Sequence, residues 1–136
     1  MFEHINEVSV LVTTILAIAV GSIWYSPLLF GNMWMEAAGL KNTDLEMSGK
    51  MVARSLFGAF SANFLFILAI AQFVGIADAS GTSVWSISSL LLLLLVASLS
   101  SAVIWEKRSF MYLVIHGGYS AFVIFGGIAV IAYWPW

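Results

Sequence analysis

Four stretches of this chain contain no charged residue: Val8–Met35, Ser55–Ala77, Ala79–Trp105 and Ser109–Trp136. They run 28, 23, 27 and 28 residues and together occupy 106 of the 136 positions. A helix rises about 1.5 Å per residue, so roughly 20 residues cross a hydrocarbon layer about 30 Å thick. Each stretch is long enough to span. The sequence therefore predicts an all-α integral membrane protein, a single antiparallel bundle of four transmembrane helices over residues 1–136. The spans are expected at about 8–30, 55–76, 84–105 and 110–134.

Composition closes off the alternatives. The chain is 62% hydrophobic and 9% charged, against about 25% charged in ordinary soluble domains. A soluble core of this length could not hide four such runs, because surface helices need a polar face. There is no cysteine, so neither disulfides nor thiolate metal sites are available. A formal charge of −2 is too small to point to nucleic acid. The first run contains Ala17-Ile18-Ala19, as a cleaved secretion signal could, but it continues to Phe30. Its leading residues Glu3, His4 and Glu7 are also the reverse of a basic n-region, so it reads as a retained helix.

All five cations fall in two connections: Lys41, Lys50 and Arg54 before the second span, Lys107 and Arg108 before the fourth. The positive-inside rule places those connections in the cytoplasm and both termini outside. Trp24, Tyr25, Trp34 and Trp105 then mark inner boundaries, and Trp85, Tyr133, Trp134 and Trp136 outer ones, as amphipathic rings prefer headgroup depth. Pro27 should kink or stop the first helix near its inner end. Met33–Ala38 suggests a short helix along the headgroups, ended by Gly39. Thr43 and Glu46 have the spacing of a capping box that would start the second helix in the cytosol.

Within lipid each polar side chain must find a partner, so their depths are informative. Tyr25, Ser26, Ser61, Asn63, Ser98, Ser101, His116, Tyr119 and Ser120 fall in the inner part of their spans. The outer halves hold little beyond Gln72 and the Thr13/Thr14 pair, so the bundle is expected to be polar inside and dry outside. Two readings of the inner set stay open. The residues can simply bond neighbouring helices. Alternatively they line a cytoplasm-facing cavity floored by His116 and Asn63, its mouth ringed by Lys50, Arg54, Lys107 and Arg108 and suited to an anionic ligand or headgroup. Those cations can equally serve orientation and contact with anionic lipid. No acidic or histidine residue stands one turn from His116, so no metal or other cofactor is expected there. A hydrogen-bonded neutral ring is the default, with a proton relay as the alternative. Ala17/Gly21, Gly58/Ala62, Ala97/Ser101 and Gly117/Ala121 repeat small residues at four-residue spacing, which lets helices approach closely within a bundle or between copies.

The segment Trp24-Tyr25-Ser26-Pro27-Leu28-Leu29-Phe30-Gly31, with Trp105-Glu106-Lys107-Arg108 and Gly118-Tyr119 later, resembles a bacterial membrane family catalogued as domain of unknown function family 1761. An aromatic such as Phe is usual where this chain has Trp105. The resemblance covers essentially the whole chain and implies four spans in a bacterial inner membrane; it brings no catalytic residues.

No paired carboxylates, metal ligands or nucleophile–base set stands out, so no enzymatic activity is expected. The sequence favours a self-associating bundle in membrane lipid, a homo-oligomer that binds a partner or small ligand from the cytoplasmic side. The alternative is a small oligomeric transporter or channel, which would need a polar path through the outer half that Gln72 and Thr13/Thr14 supply only thinly.

Overall fold

The computed structural model describes residues 6–40 and 49–135, with backbone only at 49–50. Five helices follow in chain order: α1 (Glu7–Trp24), α2 (Gly31–Ala38), α3 (Gly49–Ser80), α4 (Val84–Trp105) and α5 (Phe110–Ala132). Among the described residues there is no strand. Four helices, all but α2, are long and apolar enough to cross a membrane, the pattern of a multi-pass membrane protein. Lys50 keeps its place on the α3 backbone, whereas the Thr43–Glu46 capping box lies outside the described residues.

Helix α1 starts where the Asn6 side chain accepts from the Ser9 amide at 3.0 Å, which satisfies one of the donors a helix start leaves open. It ends at Trp24, six residues short of the Phe30 boundary read from hydrophobicity. The residue before a proline avoids helical backbone, and Ser26 stands before Pro27. A tight turn follows, in which the Phe30 amide donates to Trp24 O at 3.1 Å and the Gly31 amide to Ser26 O at 2.9 Å. A Cβ on Gly31 would lie 2.6 Å from both Ser26 C and Tyr25 O, so only glycine fits there. The turn sends α2 back against α5. Its C-terminus is closed by Gly39 at φ 70°, the left-handed cap glycine adopts without a Cβ penalty.

Helix α5 is the hub, packing on α1, α2, α3 and α4. The buried core joins Val10 and Ala17 of α1 to Ile67, Ile70 and Ala71 of α3 and Val123, Ile124 and Ile128 of α5. Gly127 permits this approach: its added Cβ would meet Thr13 Cγ2 at 3.3 Å and Ile67 Cδ1 at 3.5 Å. Helix α4 packs broadly on α5 but only sparsely on α3, despite the short turn that joins them. It leaves Leu93, Leu94 and Ile104 outward, each more than 60% exposed. In water such a surface would be a large apolar patch; lipid solvates it without cost.

The half expected to face outward holds two further buried hydroxyls, Ser9 and Ser88, beside the Thr13/Thr14 pair expected there. Among the described residues the buried polar ones are Ser9, Thr13, Thr14 and Ser88, all in that half. Each donates to a carbonyl three or four residues back: Ser9 to Asn6 O at the helix cap, Thr13 to Ser9 O, Thr14 to Val10 O and Ser88 to Val84 O, at 2.7 to 2.8 Å. A hydroxyl one helical turn from a carbonyl needs no other partner.

Candidate functional site

The turn after α1 and the return of α2 bring aromatic side chains onto the first half of α5. Trp34 Nε1 donates to His116 Nε2 at 3.2 Å, and Tyr25 Oη lies 2.8 Å from His116 Nδ1. An indole nitrogen can only donate, so Nε2 accepts and a neutral ring carries its proton on Nδ1, which donates to Tyr25 Oη. An imidazolium would set its Nε2–H against the indole N–H. Tyr25 stands edge-on to Trp34, with centroids 5.5 Å apart, and to Tyr119 at 5.4 Å. Tyr112, one turn before His116, closes the imidazole's other side at 4.3 Å. Trp24 Nε1 donates to Ile115 O at 3.1 Å, and its ring packs against Gly118, where an added Cβ would come within 3.1 Å of it.

A second junction lies deeper. Tyr119 Oη donates to Ala17 O at 3.0 Å, with Asn63 Oδ1 at 3.5 Å. That hydroxyl also fills the space a side chain on Gly21 would take: an added Cβ would stand 2.9 Å from it. Asn63 Nδ2 donates to Ala59 O at 2.9 Å, which leaves its amide with unused hydrogen-bonding capacity. Asn63, Tyr119 and Ser120 line a crevice of about 230 Å³ between α3, α4 and α5, with Phe66 and Leu95 as apolar walls.

Of the residues proposed to line one cavity, Tyr25, His116, Tyr119 and Asn63 come together and Ser120 borders the crevice. The remaining serines do not join them. Ser26 and Ser61 donate to Ile23 O and Phe57 O. Ser101 is exposed and donates to Ser98 O, while Ser98 itself is exposed. The Ser120 hydroxyl closes on His116 O at 2.8 Å. A common floor of His116 and Asn63 is replaced by two separate junctions, because Tyr119 stands between them.

The expected basic ring is also redistributed. Arg108 turns inward: Nη1 donates to Ala38 O at the end of α2, Nε pairs with Glu106 at 3.4 Å, and the guanidinium stands 5.8 Å from the Tyr112 ring. Arg54 and Lys107 are exposed, Lys107 at φ 55°, and the Lys50 side chain lies outside the described residues. Pro27 sits in the turn rather than in a helix.

Sequence reasoning passed over Trp34 and Tyr112 as parts of this site. The spacing of Tyr112, His116 and Ser120 carried a signal, since residues four apart share a helix face. Trp34 carried none, because its role depends on α2 folding back.

At the other end of the helices a depression of about 670 Å³ opens among the starts of α1 and α4 and the ends of α3 and α5. Neither the curated proteins nor the solved structures yield a match to this chain. A family model matches residues 8–132, nearly the whole chain, and the protein belongs to the family described as Protein of unknown function (DUF1761).

Proposed function

We propose that this is a non-enzymatic bacterial inner-membrane protein that binds a small amphipathic ligand from the lipid, through the crevice of Asn63, Tyr119 and Ser120. The observation that carries this reading is the crevice itself. Three polar groups from two helices meet apolar walls there, and Asn63 has hydrogen-bonding capacity to spare. A polar group at membrane depth needs a partner, and a ligand hydroxyl reaching the crevice would supply one to the Asn63 amide. The sparse contact of α3 with α4 gives the ligand a lateral way in, on the side of the basic connections, which face the cytoplasm in this reading with both termini outside. The His116 clamp makes the back wall rigid by fixing α2 and the turn to α5. Self-association belongs to the same reading: Leu56, Phe57 and Phe60 of α3 present exposed apolar side chains that a second copy would cover.

The test uses the protein in nanodiscs with 11-bromoundecanol and bromoundecane, whose bromine quenches tryptophan. The alcohol should quench more than the alkane, with Trp24 close by, its ring 6.3 Å from that of Tyr119. Asn63→Leu should remove the difference. Equal quenching by both probes in the unmodified protein would end the proposal.

A further inference from the structure

We propose that the depression at the terminal end of the helices is a second binding site, specific for an organic ammonium group. It lies opposite the crevice, and the helices' polar sequence pattern gave no hint of it. The cavity of about 670 Å³ is walled by Asp78 at the end of α3, by Thr82 and Ser83 of the turn, and by Tyr133 and Trp134 after α5.

Three features select the ligand's chemistry. Asp78 is exposed at the wall and supplies a carboxylate. Every Lys and Arg of the chain lies in 41–54 or at 107–108, and Arg108 is bound to Ala38 at the far end. No basic side chain of the described residues competes for Asp78. Tyr133 and Trp134 line the same depression, and aromatic rings attract a cation through their quadrupoles, most strongly where water is thinned. A carboxylate and aromatic rings in one depression, with Val74, Val84 and Ile131 as apolar walls, favour an alkylated ammonium over a small hydrated ion, since the alkyl groups bury apolar area as the charge is paired. Either a free quaternary amine or the headgroup of a choline lipid has this chemistry.

One glycine makes the cup testable. Gly75 lines it, and a Cβ built there meets nothing within 4 Å. Gly75→Leu should therefore narrow the cavity, starting from a Cβ position that is free of clashes. Labelled choline is titrated onto the protein in phosphatidylglycerol nanodiscs, with 3,3-dimethylbutanol, choline's uncharged isostere, as competitor. Choline should bind and the isostere should fail to displace it. Asp78→Asn and Gly75→Leu should each weaken choline at least tenfold while keeping the thermal midpoint and helicity of the parent. Asn63→Leu should leave choline binding unchanged, which separates this site from the crevice. Repeating the titration in phosphatidylcholine nanodiscs assigns the source. Choline binding lost there, with the lipid retained in native mass spectra, identifies a headgroup site; binding preserved there identifies a free amine. No choline binding in phosphatidylglycerol, equal competition by the isostere, or full binding by Asp78→Asn would each overturn the proposal.

Discussion

Tyr25 and His116, 91 residues apart in sequence, meet at 2.8 Å between Oη and Nδ1, and this contact ties the turn after α1 to the centre of α5. With Trp34 donating to Nε2, both imidazole nitrogens are engaged inside the protein. The ring is then a bracket holding three segments together: the end of α1, α2 and α5. Its neighbours Tyr112 and Tyr119 lie one turn to one side and one turn to the other on α5, so a single face of that helix presents the whole aromatic set.

The bracket predicts a graded loss. Tyr25→Phe leaves Nδ1–H without its acceptor and should cost about 1–3 kcal/mol, read as a lower thermal midpoint in detergent. His116→Phe keeps the ring's bulk but removes both polar atoms, leaving the Trp34 indole without an acceptor. Hydrogen exchange at the amides of Gly31–Ala38 should speed up in His116→Phe far more than at α4. Unchanged protection of α2 would mean that packing alone, and not the imidazole, holds it.

Arg108 holds the other end of the same short helix. The last carbonyls of α2 have no partner within the helix, and a guanidinium is well placed to take one while pairing with Glu106 and lying over Tyr112. Arg108→Gln should therefore expose the Gly39–Leu40 link to proteolysis and lower stability by about 1–2 kcal/mol. Arg108→Lys should recover only part of this, because an ammonium lacks the planar fork that serves several acceptors at once. Full recovery by lysine would show that charge alone matters.

Two glycines separate geometry from propensity. Gly31→Ala drives a methyl group into backbone, with Ser26 C and Tyr25 O at 2.6 Å, and should cost about 2–4 kcal/mol by breaking the turn. Gly58→Ala sits on α3 with nothing within 4 Å of its Cβ. It should stabilise by about 0.5–1 kcal/mol through helix propensity. Matched melting curves of the two variants decide the point; similar destabilisation of both would refute the turn's tightness.

The four long helices were legible because lipid imposes a minimum length on any uncharged run, and α4 and α5 end within two residues of the boundaries those runs implied. The early end of α1 was legible only in part: Pro27 signalled a break, yet hydrophobicity carried the span on to Phe30. The site was harder to read. Ser61, Ser101 and Ser120 look like cavity residues by depth, but each reaches a carbonyl three or four residues back, an outlet that helical periodicity always offers. Depth alone cannot separate the two uses. Trp34 meets His116 across 82 residues, and the terminal depression is assembled from turn residues and four helix ends, so neither leaves a local pattern.

The contact between Gly21 and Tyr119 allows the sharpest test of the deeper junction. The hydroxyl that bonds Ala17 O at 3.0 Å occupies the place of a side chain at position 21, where an added Cβ would come within 2.9 Å. Gly21→Ala must push that hydroxyl off its acceptor, so it should destabilise by about 1–2 kcal/mol despite alanine's better helix propensity. Tyr119→Phe forfeits the bond itself and should cost about 1 kcal/mol. Once the hydroxyl is gone, the nearest ring atom is Cζ at 3.3 Å, so the sharpest overlap is relieved and the rest needs only a small shift of the ring. Gly21→Ala should then cost much less in the Tyr119→Phe background than in the parent, which gives a coupling energy of about 0.5–2 kcal/mol between two residues that share one space. The double-mutant cycle is measured by thermal unfolding in the same detergent throughout. Simple additivity of the two substitutions would show that the hydroxyl and the glycine are independent, and that α1 and α5 hold their distance for another reason.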